Sequence, residues 1–286
     1  MSDEIVVRRA ESVADYLACQ DAQRRAWGLT EDSYVVPLAT LIGANLHGGL
    51  VLGAFRPTGE AVGLSFAFLG KVDGRPCLYS QLTGVVPDQQ GRGLGGRLKH
   101  AQREFARSEG IATLAWAFDP LQAGNAGFNL GRLGATAGRY IEDMYGRRTD
   151  ALNAGTATDR LIVEWATGPA SRPPVGPENL AGLPRLVEVR ERDDGALVPS
   201  GDREDAPAGP TAVLEIPAEV GSIRVDDPDL AGSWGRAVRR AFVGAFAAGY
   251  RAEGFVRDEG SGRTRCYYIL RRPEADRLSP PIAWPG

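Results

Sequence analysis

Residues that commonly bind metals are scarce in this sequence. It has three cysteines, Cys19, Cys77 and Cys266, and two histidines, His47 and His100. The cysteines lie far apart, none belongs to a C-x-x-C pair, and two histidines are too few for a histidine-rich site. We therefore expect no metal, and we expect all three cysteines to be reduced and structural.

Long hydrophobic runs are also missing. No stretch reaches the length of about 20 apolar residues that a membrane-spanning helix needs. The opening MSDEIVVRRA has no apolar run of signal-peptide length. These absences predict a cytoplasmic location and no membrane partner. The formal net charge of -3 gives no reason to expect nucleic acid, which usually requires a basic face.

The composition that remains suits a folded α/β protein. The chain has 286 residues, 43% of them hydrophobic and 24% charged, which allows one large domain or two modest ones. A β-branched run at 5–9 and two helical patterns come first, followed by three apolar runs at 50–55, 61–69 and 77–86. Turn-forming residues separate the three runs, so they predict an antiparallel meander.

The next part of the chain predicts a helix packed on a sheet. A helix over about 94–108 carries Leu94, Leu98, Ala101 and Phe105 at the spacing of one buried stripe. A buried strand at 111–118, a short helix at 125–133 and strands at 137–145 and 160–165 follow. Together with the meander, these elements predict an α/β fold with a central mixed sheet.

The composition changes after residue 165. Residues 167–177 are rich in Pro and Gly, and 191–210 are charged and Pro-rich, which is typical of a loop or linker. A strand at 212–216, an amphipathic helix at 230–249 and a closing hairpin at 251–271 follow. We predict a domain over 1–166, a linker over 167–211 and a smaller α/β lobe over 212–286. The lobe is either a partial repeat of 111–165 or the alternation that any α/β chain shows.

The most informative segment is the glycine-dense turn VVPDQQGRGLGGR over residues 85–97. Glycines permit positive φ and let main-chain amides approach a ligand closely. A helix N-terminus adds unsatisfied donors and a partial positive charge, which suit a phosphate or pyrophosphate. The plain alternative is that the glycines only make a tight turn between a strand and a helix.

Two nucleotide-binding patterns can be compared with this turn. The Walker A pattern fails, because Arg97 and Leu98 replace the lysine and the hydroxyl that it requires. The dinucleotide pattern G-x-G-x-x-G fits Gly91, Gly93 and Gly96. However, residues 87–90 separate that pattern from its strand, and the strands upstream are predicted to be antiparallel.

A third pattern, Q/R-x-x-G-x-G/A, is satisfied by Gln90, Gly93 and Gly95. With this turn and the predicted order of elements, residues 5–165 resemble the GNAT (Gcn5-related N-acetyltransferase) family of acyltransferases. Later segments resemble a group of bacterial predicted GNAT proteins with a C-terminal extension. These segments are Phe118-Asp119-Pro120-Leu121, Asn125-Ala126-Gly127-Phe128-Asn129-Leu130, Leu133-Gly134-Ala135, Tyr145-Gly146, Leu152-Asn153 and Thr158-Asp159-Arg160.

The resemblance implies the GNAT fold and acetyl-CoA or another acyl-CoA as cosubstrate. It implies that the turn binds the coenzyme A pyrophosphate through main-chain amides. It also implies that the strand before the turn contacts pantetheine and donates an N–H, near Leu82 or Thr83, to the donor carbonyl. The implied coenzyme-binding residues are Leu82, Thr83, Val85, Val86, Gln90, Gly91, Arg92, Gly93, Leu94, Gly95, Gly96, Asn125 and Asn129. For Asn125 the alternative is helix capping.

The catalytic residues are less well defined. The family often has a tyrosine on the short helix, at a position that corresponds to Leu130 here. Tyr140 and Tyr145 are the candidate acids, with aromatic packing as their alternative role. Asp119 is a candidate base acting through water, or else a cap before Pro120.

The remaining basic and polar candidates are weaker. Tyr79 and Asp143 are further candidate acids. Arg97 and Lys99 either pair with coenzyme phosphates or form the solvated face of their helix.

The implied reaction is direct acyl transfer, acetyl by default, to the amine of a small molecule or amino acid. A non-catalytic acyl-CoA-binding module and a nicotinamide-dinucleotide enzyme are the alternatives. A homodimer is a possible state of the protein.

Overall fold

The chain divides into two compact units. The computed structural model describes residues 4–146, 157–168, 180, 182–202, 209–260 and 262–272. Unit 1 comprises Met1–Ala117, Thr149–Leu152 and Glu164–Ala170, and unit 2 comprises Phe118–Arg148, Asn153–Val163 and Ser171–Gly286. Compactness does not show which segment folds alone, so the predicted domain boundaries stay predictions. The sequence features noted at 152–153, 169–177 and 203–208 lie outside the described residues.

Unit 1 has the predicted order of elements. They are β1 (Val6–Arg9), α1 (Val13–Trp27), α2 (Leu38–Leu46), β2 (Leu50–Phe55), β3 (Ala61–Val72), β4 (Arg75–Val85), α3 (Leu94–Ser108) and β5 (Thr113–Phe118). The strand order is β1-β2-β3-β4-β5. The first four strands pair antiparallel and β4 pairs parallel with β5. The predicted meander and the mixed sheet are therefore confirmed.

Local chemistry explains where these elements begin and end. Ser12 and Asp15 form a capping box at the start of α1, and Gly28 ends the helix in the left-handed region with φ of 61°. Asp73 and Gly74 join β3 to β4 with φ of 49° and 76°, as a two-residue hairpin turn requires.

The buried face of α3 differs from the predicted one. Leu94 and Leu98 are buried as predicted, but Ala101 and Phe105 are only partly buried. The fully buried positions on the rest of this face are Lys99, Gln102 and Ala106. The predicted stripe was wrong because the core-facing arc of α3 is rotated toward two polar residues that the hydrophobic pattern ignores.

Unit 2 is also built from alternating helices and strands. Its elements are α4 (Ala123–Ala126), a π-helical segment (Gly127–Arg132), β6 (Thr136–Ile141), β7 (Arg160–Ala166, which ends in unit 1), β8 (Val187–Glu191), β9 (Leu197–Asp202), β10 (Thr211–Ile216), α5 (Val220–Asp226), α6 (Pro228–Ala247), β11 (Arg251–Asp258) and β12 (Arg265–Arg271). The strand order of its main sheet is β6-β11-β12-β10. Trp234, Phe242 and Tyr268 are among its largest fully buried side chains.

One prediction for unit 2 was wrong. Residues 191–210 were predicted to be a loop or linker, but Leu197–Asp202 form strand β9, which pairs antiparallel with β8 (Val187–Glu191). Glu188, Arg190 and Glu191 are the exposed charged residues of β8, while Val187 and Val198 are buried. In the part of the chain that the structure describes, no helix is both long and apolar enough to span a membrane.

Candidate functional site

The glycine turn is an open loop between β4 and α3. After Val85, residues Pro87–Gln89 form a single 3₁₀ turn, and α3 begins at Leu94. Gly91 and Gly93 have φ of 75° and 78°, the left-handed region where other residues are strained. A Cβ added at either glycine would meet no atom within 4 Å. The loop is therefore exposed and free to receive a ligand.

The main-chain amides of this turn point to no protein acceptor. The first amides of any helix lack an intrahelical partner, and the N-cap residue of α3, Gly93, has no side chain to supply one. Among the described residues, no acceptor is hydrogen-bonded to the amides of residues 91–96. An uncapped helix start that is rich in glycine is a suitable site for an anion such as a diphosphate.

Side chains fix the two ends of the turn. The Gln90 Nε2 donates a hydrogen bond of 3.0 Å to the carbonyl of Val85, at the end of β4. The Arg97 guanidinium donates one of 2.8 Å to the carbonyl of Ile5. Arg92 lies inside the turn and is exposed. Arg92 is therefore the arginine of this segment that is best placed to meet a phosphate.

The strand before the turn is bulged. Phe66 of β3 pairs with Leu82, whereas the next residue, Ala67, pairs with Ser80. Gln81 is therefore the extra residue of a β-bulge, and bulges leave main-chain groups unpaired and redirect them. The bulge lies immediately before Leu82, one of the two residues predicted to donate an N–H.

β4 and β5 separate just before this bulge. They pair only at Leu78 with Leu114 and at Tyr79 with Ala115. Beyond Tyr79 and Ala115 the two strands part, and we call this separation the fork. Residues 82–85 of β4 thus have a strand neighbour on the β3 side alone. An exposed strand edge of this kind can pair with an extended, amide-containing ligand.

The structure limits the role of one predicted residue. The Val86 amide donates a hydrogen bond of 3.1 Å to the carbonyl of Val62, and its side chain is buried. Val86 therefore has no free N–H for a ligand. The side chain of Leu94 is buried. Its main-chain amide is one of those at the open start of α3.

A buried polar network lies behind the fork. Lys99 is 4% exposed, and its Nζ donates a hydrogen bond of 2.8 Å to the Ser80 hydroxyl. The same Nζ lies 3.9 Å from the ring centroid of Trp116. Thr83 Oγ1 lies 3.4 Å from Ser80 Oγ and 2.9 Å from Ser65 Oγ. Burial lowers the pKa of Lys99 to about 7.

Lys99 contradicts both roles predicted for it. Its side chain faces neither solvent nor the open turn. The sequence signal that would have indicated its burial is its position one residue after Leu98, which is also buried. Gln102 lies one turn further along the same face, fully buried, with no hydrogen-bond partner for its amide group among the described residues.

The tyrosine and aspartate candidates of unit 2 are engaged by other side chains. The Tyr140 hydroxyl donates a hydrogen bond of 2.7 Å to Asp159. The carboxylate of Asp159 also accepts bonds of 2.9 and 2.7 Å from Arg239. Burial and the hydrogen bond to Asp159 raise the pKa of Tyr140 far above its usual value. Such a group is a poor proton donor, which favours its alternative, structural role.

Asp119 and Tyr145 have partners as well. Asp119 accepts a hydrogen bond of 2.9 Å from the amide of Leu121 and one of 2.7 Å from Arg224. The hydrogen bond from the Leu121 amide is the capping contact that was predicted as the alternative role of Asp119. Tyr145 is 37% exposed, and the Arg160 guanidinium carbon lies 5.1 Å from its ring centroid.

The short-helix residues are divided between surface and core. Asn125 is exposed within α4, whose N-cap is Gln122 rather than Asn125. Asn129 and Leu130 are buried in the π-helical segment. Their predicted contacts with a ligand stay predictions.

The cysteines are all free and buried. Burial raises the pKa of Cys19 to about 12 and that of Cys266 to about 11, so neither thiol is activated as a nucleophile. Among the described residues, no three His, Cys, Asp or Glu side chains are grouped as a metal would require.

The fold and the turn of unit 1 define a class of protein. A bulged strand that forks from its parallel neighbour, a glycine turn and an uncapped helix start form an open α/β site that suits an anion. The element order is the one that the GNAT resemblance implied.

Solved structures show a similar course of the main chain. One is a protein from Desulfovibrio desulfuricans assigned to the GNAT family of acetyltransferases (20% identity, 58% of this chain and 100% of that chain, TM-score 0.45). Another is yncA from Salmonella typhimurium with its cofactor acetyl-CoA (20%, 59% and 98%, TM-score 0.46). A third is the ribosomal-protein-S18-alanine N-acetyltransferase from Escherichia coli (20%, 59% and 97%, TM-score 0.44). No family model and no curated protein matches the chain.

Proposed function

We propose that this protein is an acyl-CoA-dependent acyltransferase that moves an acyl group, acetyl by default, directly to the amine of a small molecule or amino acid. The observation that supports the proposal most is the set of amides over residues 91–96 at the head of α3, which have no acceptor among the residues that the structure describes. They suit the diphosphate of coenzyme A, whereas a turn that only joined two elements would have no need of open donors.

The strand before the turn suits the rest of the ligand. The free edge of β4 over 82–85 can pair with the two amides of a pantetheine arm. When bound, the cosubstrate supplies an acyl group activated as a thioester. A main-chain N–H beside the bulge at Gln81 is the proposed donor to the acyl carbonyl, and a preorganised donor of this kind typically contributes about 2.7–4 kcal/mol where negative charge develops on an oxygen.

Calorimetry on the full chain tests the proposal through Gly93→Ala. Alanine at φ of 78° is strained by about 1–2 kcal/mol, and its Cβ enters the open space above the turn. We expect CoA to bind the wild-type protein and the Gly93→Ala variant to bind it at least about tenfold more weakly.

The matched control is Gly59→Ala in the turn between β2 and β3. Gly59 has φ of 86° and equally open surroundings, so its variant has the same kind of strain away from the site. Its affinity for CoA should equal that of the wild type. Absence of CoA binding at millimolar concentration, or tight NADH binding in its place, would refute the proposal.

Thiol release from acetyl-CoA across a panel of amines separates an enzyme from a binding module.

A further inference from the structure

The fork between β4 and β5 is closed at its apex by one side chain. Tyr79 and Ala115 are the last paired residues, and Ser80 and Trp116 are the next residue on each strand. Lys99 reaches this point from α3 and touches both, at 2.8 Å from the Ser80 hydroxyl and 3.9 Å from the Trp116 ring centroid. Its ammonium nitrogen therefore lies where the two strands part.

In the described part of the chain, no carboxylate is paired with this buried amine. Ser80 and Thr83 approach from β4, Ser65 from β3 and Trp116 from β5, and none of these is charged. Of its titratable neighbours along α3, Arg97 donates to the carbonyl of Ile5, while His100 and Arg103 lie against Trp165 at 5.2 and 4.7 Å. Burial is the cause that lowers the pKa of Lys99 to about 7.

Lysine is rare in this chain, which has arginine at nearly all of its basic positions. The chain has 33 lysines and arginines, and only Lys71 and Lys99 are lysines. Arginine stays protonated at all physiological pH values, whereas a buried lysine can gain and lose a proton. A chain that uses arginine almost everywhere else thus has a titratable cation at the fork.

We propose that Lys99, through the Ser80 hydroxyl, supplies a proton at the fork to the thiolate that departs in acyl transfer. The inference rests on the function proposed above. The Ser80 Oγ–H proton moves to the thiolate sulfur, the Lys99 Nζ–H proton replaces it on Ser80, and Lys99 is left as a neutral amine. It regains a proton from the one that the acceptor amine releases in the same turnover. Lys99 acts through Ser80 and is therefore a positioning residue.

The relative acidities favour this direction. A thiol has a pKa of about 8.5 and an ordinary lysine one of about 10.4, so an ordinary lysine would hold its proton. An ammonium whose pKa is about 7 gives its proton to a thiolate downhill. It is also close to half protonated near neutral pH, which is the range where a proton-transfer group is most effective.

NMR of the full-length chain with ¹³C-labelled lysine tests the proposal without any variant. The spectrum has two lysines to resolve, and the exposed Lys71 on β3 is an internal control. We expect the titration of Lys99 to differ between the CoA and desulfo-CoA complexes, because only CoA places a sulfur atom at the end of the Ser80 relay. Equal effects of CoA and desulfo-CoA on Lys99 would overturn the proposal. Failure of both ligands to bind would instead refute the proposed function.

A second measurement follows the thiol itself. In the wild type, thiol release from acetyl-CoA should decline as the pH rises through about 7 and Lys99 loses its proton. Lys99→Met should lack this decline, and Lys71→Met should match the wild type. Calorimetry should give affinities for CoA within about threefold of each other, which a collapse of the fork would not. The same pH profile in a folded Lys99→Met protein as in the wild type contradicts the proposal.

Discussion

Buried charges are treated differently in the two units. In unit 2, Asp159 is 6% exposed and accepts hydrogen bonds from Tyr140, from Arg239 twice and from the amide of Asp143. In unit 1, Lys99 is 4% exposed, and a hydroxyl and an aromatic ring are its neighbours among the described residues. A fully paired buried charge is typical of a structural group, whereas a buried amine without a counter-ion is typical of a functional one.

The helix starts within unit 1 show the same contrast. The Ser12 side chain caps α1 by accepting from the amide of Asp15 at 3.1 Å. The N-cap residue of α3, Gly93, provides no such side-chain cap. Open donors reduce helix stability, and a bound anion would restore it. Unsatisfied polar groups in unit 1 therefore indicate the ligand site more clearly than the titratable residues of unit 2.

Breaking the Asp159 cluster should have the largest effect. Asp159→Ala leaves the Arg239 guanidinium and the Tyr140 hydroxyl without their acceptor, which typically costs about 3–5 kcal/mol in the free energy of unfolding. Denaturant titration measures this loss. Arg107→Ala, which removes an exposed pair with Glu104, is the control and should leave the transition unchanged. A small loss for Asp159→Ala would show that the cluster is not structural.

The pH dependence of the free energy of unfolding should distinguish Lys99 from the side chains that form ion pairs. Its pKa is about 7 in the folded chain and about 10.4 in the unfolded chain. Between these values the unfolded state binds the extra proton, so the free energy of unfolding rises with pH, by up to about 1.4 kcal/mol per pH unit. Below about pH 7 the free-energy cost of burying the charged amine is constant, and above about pH 10.4 this cost is absent.

The measurement compares the wild type with Lys99→Met by urea titration from pH 6 to pH 10. The difference in unfolding free energy between the two proteins should shift in favour of the wild type as the pH rises. Groups such as Cys19 titrate in both proteins and cancel from the difference. A difference that is constant with pH would mean that Lys99 keeps its ordinary pKa.

Removing a helix cap should have the smallest effect. Ser12→Ala deletes the acceptor for the amide of Asp15 and should reduce the free energy of unfolding by about 1 kcal/mol. The affinity for CoA, measured well below the transition, should not change. A loss of affinity would show that the turn is coupled to α1 and that the contrast between the two helix starts is too simple.

Much of unit 1 could be predicted from the sequence because its signals are local. The bounds of β2 and α3, the cap at Ser12, the stop at Gly28 and the glycine turn are all read from neighbouring residues. The open turn was likewise predictable, because glycine at positive φ and an uncapped helix start are properties of a short segment.

The features that the sequence did not predict depend on residues that are far apart in the chain. Lys99 is buried against Ser80 of β4 and Trp116 of β5, and Tyr140 donates to Asp159, whose partner Arg239 is far away in sequence. The β8–β9 hairpin was hidden because charged residues on its exposed face outweigh a few buried valines. Pairing of this kind is set by tertiary contacts, and local composition does not report it.

An NMR titration of the ¹⁵N-glycine-labelled protein with CoA tests the turn most directly. The amide signals of Gly91, Gly93, Gly95 and Gly96 should move together with increasing CoA, while the signal of Gly59 stays in place. Binding of CoA with no movement of the four turn glycines, or no binding at all, would contradict the assignment of the α3 head as the coenzyme site.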